Sequence, residues 1–301
     1  MASRSNGRKG THTSPARASR RTSVDEARGA LVLIGGACHP EGEALGAFVR
    51  LSGADHGAPL IGFTTASGNP VRSATAWKRD FASIDIRNID FPLVDTRNKA
   101  NDASIADRVR DAAGIFLGGG DQVHLIATLG GTRVGDAIRD AYLRGAVVCG
   151  TSAGAAALTE TTMAGGEIDE DGNEVEMYIG PGFGLLCFES VIDTHFAQRR
   201  RLHRLFVAIA GYPQLLGLGI DEDTALVVHG SIGEVVGKGG VTFVDGRDTV
   251  RFDNASRVKK GGELTLSHLR VGIVGTGQRF DLEARELEAL VNATSRAPDS
   301  R

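Results

Sequence analysis

The sequence predicts an α/β protein with a doubly wound, mainly parallel sheet, helices on both faces and short β-hairpins near the C-terminus. Three observations support this fold class. Apolar runs that suit strands alternate with segments of helical spacing along most of the 301 residues. Several of these runs are apolar throughout, as expected of strands covered on both faces, and end directly in glycines. Residues 150–154 read G-x-S-x-G, which places a serine on a sharp turn between a strand and a helix, in the arrangement called a nucleophile elbow.

The first half of the chain supplies regular strand and helix alternation. Strands are predicted at residues 30–36, 59–65, 89–94, 115–117 and 146–149, and helices at residues 41–51, 71–84, 103–112, 123–129 and 132–144. The helix over 71–84 carries the only tryptophan, Trp77. Ligands of such sheets bind beyond the carboxyl ends of the strands. We therefore expect the glycine-rich segments 118–122 and 150–154, which both follow strands, to face one crevice.

The second half of the chain is less regular. It predicts, in order, an acidic exposed loop at 165–176, a strand at 190–195, an amphipathic segment at 196–211, strands at 216–220 and 225–228, hairpins within 232–252, a strand at 269–274 and a helix at 282–291. Residues 29–294 are expected to form one catalytic α/β domain. Residues 1–28, which are rich in arginine and serine, are predicted to be a disordered basic tail, and residues 295–301 a flexible C-terminal tail.

Composition excludes several classes of protein. A hydrophobic content of 41% with 24% charged residues is that of an ordinary globular domain, and a net charge of -3 predicts neither a nucleic-acid nor a membrane partner. No apolar run is long enough to span a bilayer, and the basic tail lacks the apolar region of a signal peptide. Three dispersed cysteines indicate a reducing, cytoplasmic location, with no disulfide framework or zinc site. Without a dinucleotide-binding or P-loop motif, no cofactor or metal is expected.

Ser152 is the candidate nucleophile. The glycines on either side permit the strained turn that exposes its hydroxyl, and the helix that follows directs free backbone N–H groups to the same point. The N–H of Ala153 is thus a candidate oxyanion donor. A glycine- and serine-rich turn without chemistry remains the alternative interpretation of the five residues alone.

A serine nucleophile needs a base, and the base needs an orienting group. His195 is the leading base because it ends a predicted strand downstream of the serine. Glu222, at the end of the strand over 216–220, is the preferred orienting acid. Glu170 in the acidic loop is the rival, although loops hold side chains less firmly than strand ends do.

Charged side chains of both signs flank His195. Guanidinium groups hold carboxylates in a two-pronged geometry, whereas an aspartate suits a cation. The cluster therefore predicts a substrate with carboxylates and a cationic group, and a salt-bridged helix start on the surface is the alternative. Its members are Asp193, Arg199, Arg201 and Arg204.

Four motifs taken together resemble cyanophycinases, which are serine peptidases of the same superfamily as peptidase E. They occupy residues 118–122, 150–155, 192–199 and 219–225, and the resemblance extends from about residue 29 to residue 282. It implies hydrolysis of cyanophycin, a poly-aspartate that bears arginine on each side chain, to β-Asp-Arg dipeptides.

The resemblance also implies roles for individual residues. Ser152, His195 and Glu222 would form the triad, and the amides near Gly120 and Ala153 would bind the oxyanion. The substrate pocket would comprise Gln122, Asp193, Arg199, Arg201 and Arg204. A homodimer is implied as well.

Two positions depart from the family pattern. Thr194 stands where glutamine is common and Arg200 where glycine is common, so substrate preference is open to change. Two alternatives follow: a dipeptidase for short aspartyl or isoaspartyl peptides, and a non-catalytic binding module on the same fold.

Overall fold

The computed structural model describes residues 28–165, 177–249 and 266–288. The C-terminal tail, the predicted basic tail up to residue 27 and nearly all of the acidic loop, including Glu170, lie outside the described residues. In the part of the chain that is described, no helix has the length and apolar character needed to cross a membrane.

Five parallel strands form one half of a nine-stranded sheet. They lie in the order β1-β5-β4-β2-β3, and the strands that carry the centre of the sheet are buried along their whole length, as the apolar runs predict. Their bounds are β1 (Leu31–Ile34), β2 (Leu60–Phe63), β3 (Ile89–Asp90), β4 (Gly114–Leu117) and β5 (Val147–Thr151). Alternate residues of β1 belong to separate apolar clusters on the two faces of the sheet, so both faces are covered.

Helices cover both faces, and those between residues 43 and 143 follow the predicted segments closely, apart from a short helix at 97–100 that was not predicted. Their bounds are α1 (Glu43–Leu51), α2 (Pro70–Ser83), α3 (Arg97–Ala100), α4 (Ala103–Asp111), α5 (Gln122–Leu129), α6 (Arg133–Leu143), α7 (Ala153–Ala156) and α8 (Leu202–Gly211). Side-chain caps explain several starts, because an oxygen of the residue before the helix accepts a hydrogen bond from a free N–H of the first turn. The capping residues are Asn69, Thr96, Asp102, Asp121 and Thr132.

The other half of the sheet is antiparallel. β10 (Thr224–His229) pairs with β1, and β11 (Ile232–Gly237), β14 (Arg279–Asp281) and β15 (Glu286–Leu287) continue the sheet outward. The α/β class is confirmed, and the sheet is mixed, with parallel pairing confined to one half. The connection between β10 and β11 is only two residues long, and so short a link joins antiparallel strands alone.

A second, four-stranded sheet carries the strands that precede the histidine and glutamate. Its order is β13-β12-β9-β8, where β8 is Ser190–Thr194, β9 is Leu216–Ile220, β12 is Gly240–Asp245 and β13 is Arg270–Gly275. β8 and β9 are parallel and α8 connects them. β6 (Thr161–Ala164) and β7 (Tyr178–Pro181) form a separate two-stranded ribbon. The sequence does not distinguish these sheets from one another.

The two larger sheets meet at the end of β1. The N–H of His195, just after β8, donates to the carbonyl oxygen of Gly35 at 2.7 Å. A Cβ at Gly35 would lie 2.1 Å from the backbone oxygen of Asp221, just after β9. This close backbone approach requires glycine, and it brings the carboxyl ends of β1, β8 and β9 together.

The predicted helix at 282–291 is wrong over its described part. Residues 282–285 form a turn and β15 follows, while residues 289–291 lie outside the described residues. Arg285 explains the turn: its side chain is buried, its φ is 60°, and Nη1 donates to Asp245 at 2.7 Å. This long-range ion pair overrides the helical apolar spacing.

Two other elements are shorter than their sequence patterns. β3 covers only the first two residues of the predicted strand at 89–94, at the edge of the sheet. α8 occupies only the later part of the amphipathic segment 196–211. Arg200 has φ 52°, and that left-handed backbone interrupts a helix before residue 202.

Candidate active site

Ser152 lies on a tight turn between β5 and α7. Its φ of 53° and ψ of −119° are unusual for a residue with a side chain, and its N–H donates to the carbonyl oxygen of Ile34 at 2.9 Å. A Cβ on Gly150 would lie 2.4 Å from the backbone oxygen of Gly154. A Cβ on Gly154 would lie 2.1 Å from the backbone oxygen of Leu117. Both motif glycines are therefore required by close packing, and together they let the hydroxyl project beyond the strand end.

His195 reaches that hydroxyl from the neighbouring sheet. Its Nε2 is 2.9 Å from the Oγ of Ser152, and its side chain is only 14% exposed. The imidazole rests on the backbone of Gly36, where a Cβ would lie 2.3 Å from Cε1 and 2.4 Å from Nε2. Gly36 has φ 102°, so both the backbone conformation and the contact need glycine at this position.

Glu222 lies on the opposite side of the imidazole. Its Oε1 is 2.6 Å from Nδ1 of His195, so serine, histidine and glutamate form one continuous line of short polar contacts. The backbone N–H of Glu222 donates to Oε1 of Gln198 at 3.1 Å, which ties the glutamate loop to the histidine loop.

The two aspartates beside Glu222 hold the surrounding loops. Asp221 accepts hydrogen bonds from the N–H groups of Ala197 and Gly240, both at 3.0 Å. Burial favours a higher pKa for Asp223, but hydrogen bonds from Lys238 and from the N–H of His39 outweigh burial and lower that pKa. The acidic triplet thus divides into one carboxylate at the imidazole and two that fix the loops.

The two candidate oxyanion donors belong to residues that line the same pocket as Ser152. Ala153 begins α7 directly after Ser152, and Gly120 lies on the facing loop with φ 142°. A Cβ at Gly120 would lie 2.0 Å from the oxygen of Ala66, so the loop packs too tightly for any other residue. Among the described residues, no hydrogen bond uses the N–H of Gly120 or of Ala153.

A small pocket on one side of Ser152 collects the predicted substrate-binding residues. Its volume is about 100 Å³. Its charged and amide lining consists of Gln122, Asp193, Arg199, Arg201 and Arg204. We call it the arginine pocket.

The charges inside the arginine pocket are already partly paired. Oδ1 of the buried Asp193 accepts from Nη1 of Arg201 at 3.1 Å and from Nη1 of Arg204 at 3.0 Å. The carboxylate that was expected to receive a substrate cation therefore contacts two arginines of the chain. Arg199 is exposed and forms no ion pair among the described residues.

A second pocket of about 400 Å³ opens on the other side of Ser152. His195 and Arg199 line it together with Trp77 and Cys38, to which the sequence assigned no functional role. Burial raises the pKa of the Cys38 thiol to about 11. The one feature of the sequence that draws attention to Trp77 is that the chain has no other tryptophan. We call this space the tryptophan pocket.

The structure therefore brings every described candidate to one place. Ser152, His195 and Glu222 are in direct contact, the two candidate oxyanion amides flank the serine, and the arginine pocket adjoins it. Glu170 lies outside the described residues. No group of three His, Cys, Asp or Glu side chains within the described ranges has the arrangement of a metal site.

Comparison with known proteins adds a family assignment. Residues 72–236 match peptidase family S51. The chain is 35% identical over 227 residues to a cyanophycinase of Synechococcus elongatus, covering 74% of this chain and 70% of that protein. It is 33% identical over 272 residues to a cyanophycinase of Trichormus variabilis, covering 88% and 90%. A crystal structure of a peptidase from an acI-B1 Actinobacterium has a similar fold, with a TM-score of 0.62 and 20% identity over 84% of this chain and 97% of that one.

Proposed function

The chain belongs to peptidase family S51, and on this basis we propose that it is a cyanophycinase-like serine exopeptidase that releases β-Asp-Arg dipeptides from cyanophycin. The observation that carries the proposal is the unbroken line of contacts from Oγ of Ser152 through the imidazole of His195 to Glu222, at 2.9 and 2.6 Å. That line is the arrangement an alcohol needs to act as a nucleophile near neutral pH.

In the first step, Nε2 of His195 accepts the proton of the Ser152 hydroxyl while the oxygen attacks the scissile carbonyl carbon. Nδ1–H of the imidazole donates to Glu222, which keeps the lone pair on Nε2 and stabilises the imidazolium that forms. Collapse of the tetrahedral intermediate breaks the C–N bond. His195 returns the proton to the leaving amine, and an acyl ester remains on Ser152.

The N–H groups of Ala153 and Gly120 stabilise the negative charge on the substrate oxygen in this step. They suit the role because they flank the serine and have no acceptor among the described residues. In the second step His195 removes a proton from water, the resulting hydroxide attacks the ester carbonyl, and the C–O bond to Ser152 breaks. His195 returns the proton to Oγ of Ser152, and a free carboxylate is released.

Arg199, Arg201 and Arg204 fit a substrate with carboxylates. Asp193 positions the last two by holding both guanidinium groups, and Arg199 is the exposed member of the set. Each cyanophycin unit presents the α-carboxylate of its arginine, which a guanidinium group can bind through two hydrogen bonds. Gln122 donates through Nε2 to the backbone oxygen of Met163 at 2.6 Å, which fixes its amide in the pocket wall.

The direct test is turnover of purified cyanophycin with mass analysis of the products. Wild-type protein should release β-Asp-Arg, and Ser152→Ala should lower the rate by at least about 10³-fold with the fold intact. Ser104→Ala, at an exposed position of α4 that lines neither pocket, is the matched control and should retain wild-type activity. Equal turnover by the two variants would refute the proposed nucleophile.

An Asp-X or isoaspartyl dipeptidase is the second candidate, because a pocket of about 100 Å³ can hold an aspartyl unit without the attached arginine. Rates on Asp-X dipeptides and on the polymer, compared with the same protein preparation, distinguish the two substrates. A non-catalytic module predicts instead that a fluorophosphonate probe fails to label Ser152.

We also propose a cytoplasmic homodimer. The free thiols of Cys38, Cys149 and Cys187 suit a reducing compartment. Light scattering of the purified protein would give twice the chain mass if the dimer forms.

A further inference from the structure

The two pockets beside Ser152 differ in which reacting groups line them. The arginine pocket includes Ala153, a proposed oxyanion donor, but not His195. The tryptophan pocket includes His195 but not Ala153, and Gly120, the other proposed oxyanion donor, lines both pockets. Because the imidazole must deliver its proton to the leaving amine, the departing part of the substrate has to lie on the histidine side. The tryptophan pocket therefore faces the leaving group, and the arginine pocket faces the acyl group.

Trp77 is held firmly at the wall of the tryptophan pocket. It lies on α2, its ring packs edge-on against Phe116 with a centroid distance of 4.6 Å, and it is tilted against the ring of Phe81 at 6.2 Å. A Cβ at Gly118 would lie 3.5 Å from its Nε1, so the indole sits beside the glycine-rich loop that faces Ser152. The side chain is half-buried, which leaves part of the indole open to the pocket.

Arg199 lines this pocket, and the acidic residue Asp80 lies near it on α2 without lining it. Asp80 follows Trp77 by three residues, and therefore lies on the same side of α2. Burial raises the pKa of the Cys38 thiol, which lines the pocket, and the negative charges of Asp223 and, to a smaller extent, Asp80 raise it further. Oδ1 of Asp80 also accepts from Arg79 at 3.1 Å, but Arg79 is 79% exposed and such surface pairs are weak. Arg199 lines the pocket as a cation.

We propose that the tryptophan pocket binds the unit released from the substrate, and that Trp77 is a specificity-determining residue that receives its guanidinium group on the indole face. This inference rests on the proposed function. Arginine is the side chain that most often stacks on tryptophan, and Asp80 adds an attractive charge nearby. Arg199 contacts a carboxylate of the same unit. The pocket thus selects a leaving unit that carries both a cation and a carboxylate.

Binding can be tested without turnover, because Trp77 is the only tryptophan in the chain. The Ser152→Ala protein is titrated with a two-unit peptide, (β-Asp-Arg)₂, whose second unit supplies the leaving amine. Acrylamide quenching of Trp77 fluorescence should fall at least twofold on saturation. A matched peptide with citrulline in the second unit should bind about tenfold more weakly, since citrulline has the same shape without the charge. Quenching that is unchanged by saturating (β-Asp-Arg)₂ would overturn the assignment.

Kinetics then test specificity. In the wild type, kcat/KM should favour the arginine peptide over the citrulline peptide by about tenfold. Trp77→Leu should largely abolish that preference, whereas Trp77→Phe should retain most of it. Asp80→Asn leaves the aromatic packing intact and should reduce the preference as well. This variant therefore tests the proposal even if the Trp77→Leu protein does not fold.

Two further outcomes refute different statements. A folded Trp77→Leu or Asp80→Asn protein with the full wild-type preference would refute the pocket assignment while the peptidase proposal stands. Failure of the wild type to cleave either the polymer or the two-unit peptide would refute the proposed function itself, and the assignment would fall with it.

Discussion

Gly36→Ala should inactivate the enzyme without contacting substrate. The new Cβ would lie 2.3 Å from Cε1 of His195, whereas ordinary carbon contacts are about 3.5 Å, so the imidazole would have to retreat by roughly 1 Å. The Ser152 contact is 2.9 Å now and would lengthen beyond hydrogen-bonding range. The carbonyl oxygen of Gly36 also accepts from the N–H of Asp223 at 2.9 Å, so the glutamate loop would be disturbed too.

The magnitude follows from that displacement. A misplacement of about 1 Å at a catalytic group costs about 10²-fold in rate, which corresponds to about 2.7 kcal/mol of transition-state stabilisation. Alanine at φ 102° also costs about 1–2 kcal/mol of folding stability. We therefore expect a folded protein with a slightly lower Tm, a kcat about 100-fold below wild type, and slower labelling of Ser152 by a fluorophosphonate.

Gly57→Ala is the matched control. Gly57 also has a positive φ, 87°, but a Cβ there meets nothing within 4 Å. Both alanine variants therefore lose folding stability through the strained backbone, but only Gly36→Ala brings a Cβ into contact with the imidazole. Gly57→Ala should lose stability and keep full activity. A Gly36→Ala protein that is folded and within threefold of wild-type kcat would refute the argument that this glycine positions the histidine.

Three other changes have defined outcomes. Glu222→Gln should lower kcat by about 10³-fold with little change in KM, because the amide favours the wrong imidazole tautomer. Glu170→Gln should lower kcat much less. Steady-state kinetics that reverse this order would move the orienting role to the acidic loop. Asp193→Asn should lower the free energy of unfolding by about 3 kcal/mol in urea titrations, because two buried guanidinium groups lose their contact with this carboxylate. A loss below about 1 kcal/mol would contradict the buried pairing. Iodoacetamide at pH 8 should modify the exposed Cys187 well before Cys38, because the raised pKa of Cys38 keeps its thiol protonated until the pH approaches about 11. Peptide mass analysis that shows Cys38 modified first would contradict the buried position of this thiol.

Local pattern was sufficient for most of the parallel half of the fold. Buried strands reveal themselves as short apolar runs, and helix starts are encoded by capping residues such as Asp102 and Asp121. The G-x-S-x-G glycines specify a turn whose geometry depends on neighbours in the chain. The choice of Ser152, His195 and Glu222 followed from their positions after predicted strands, together with the resemblance to a known family.

Pairing between distant segments was decided only in three dimensions. Nothing near β8 or β9 indicates that they leave the main sheet, because strand partners are set by contacts across many intervening residues. The same applies to Asp193, for which a salt bridge on the surface was the alternative interpretation and packing buries the pairing with two arginines, and to Arg285, whose ion pair with Asp245 replaces a helix. Trp77 became part of the site through the packing of α2 alone. Side-chain type and spacing encode local conformation and chemistry, whereas long-range packing determines which of those groups meet.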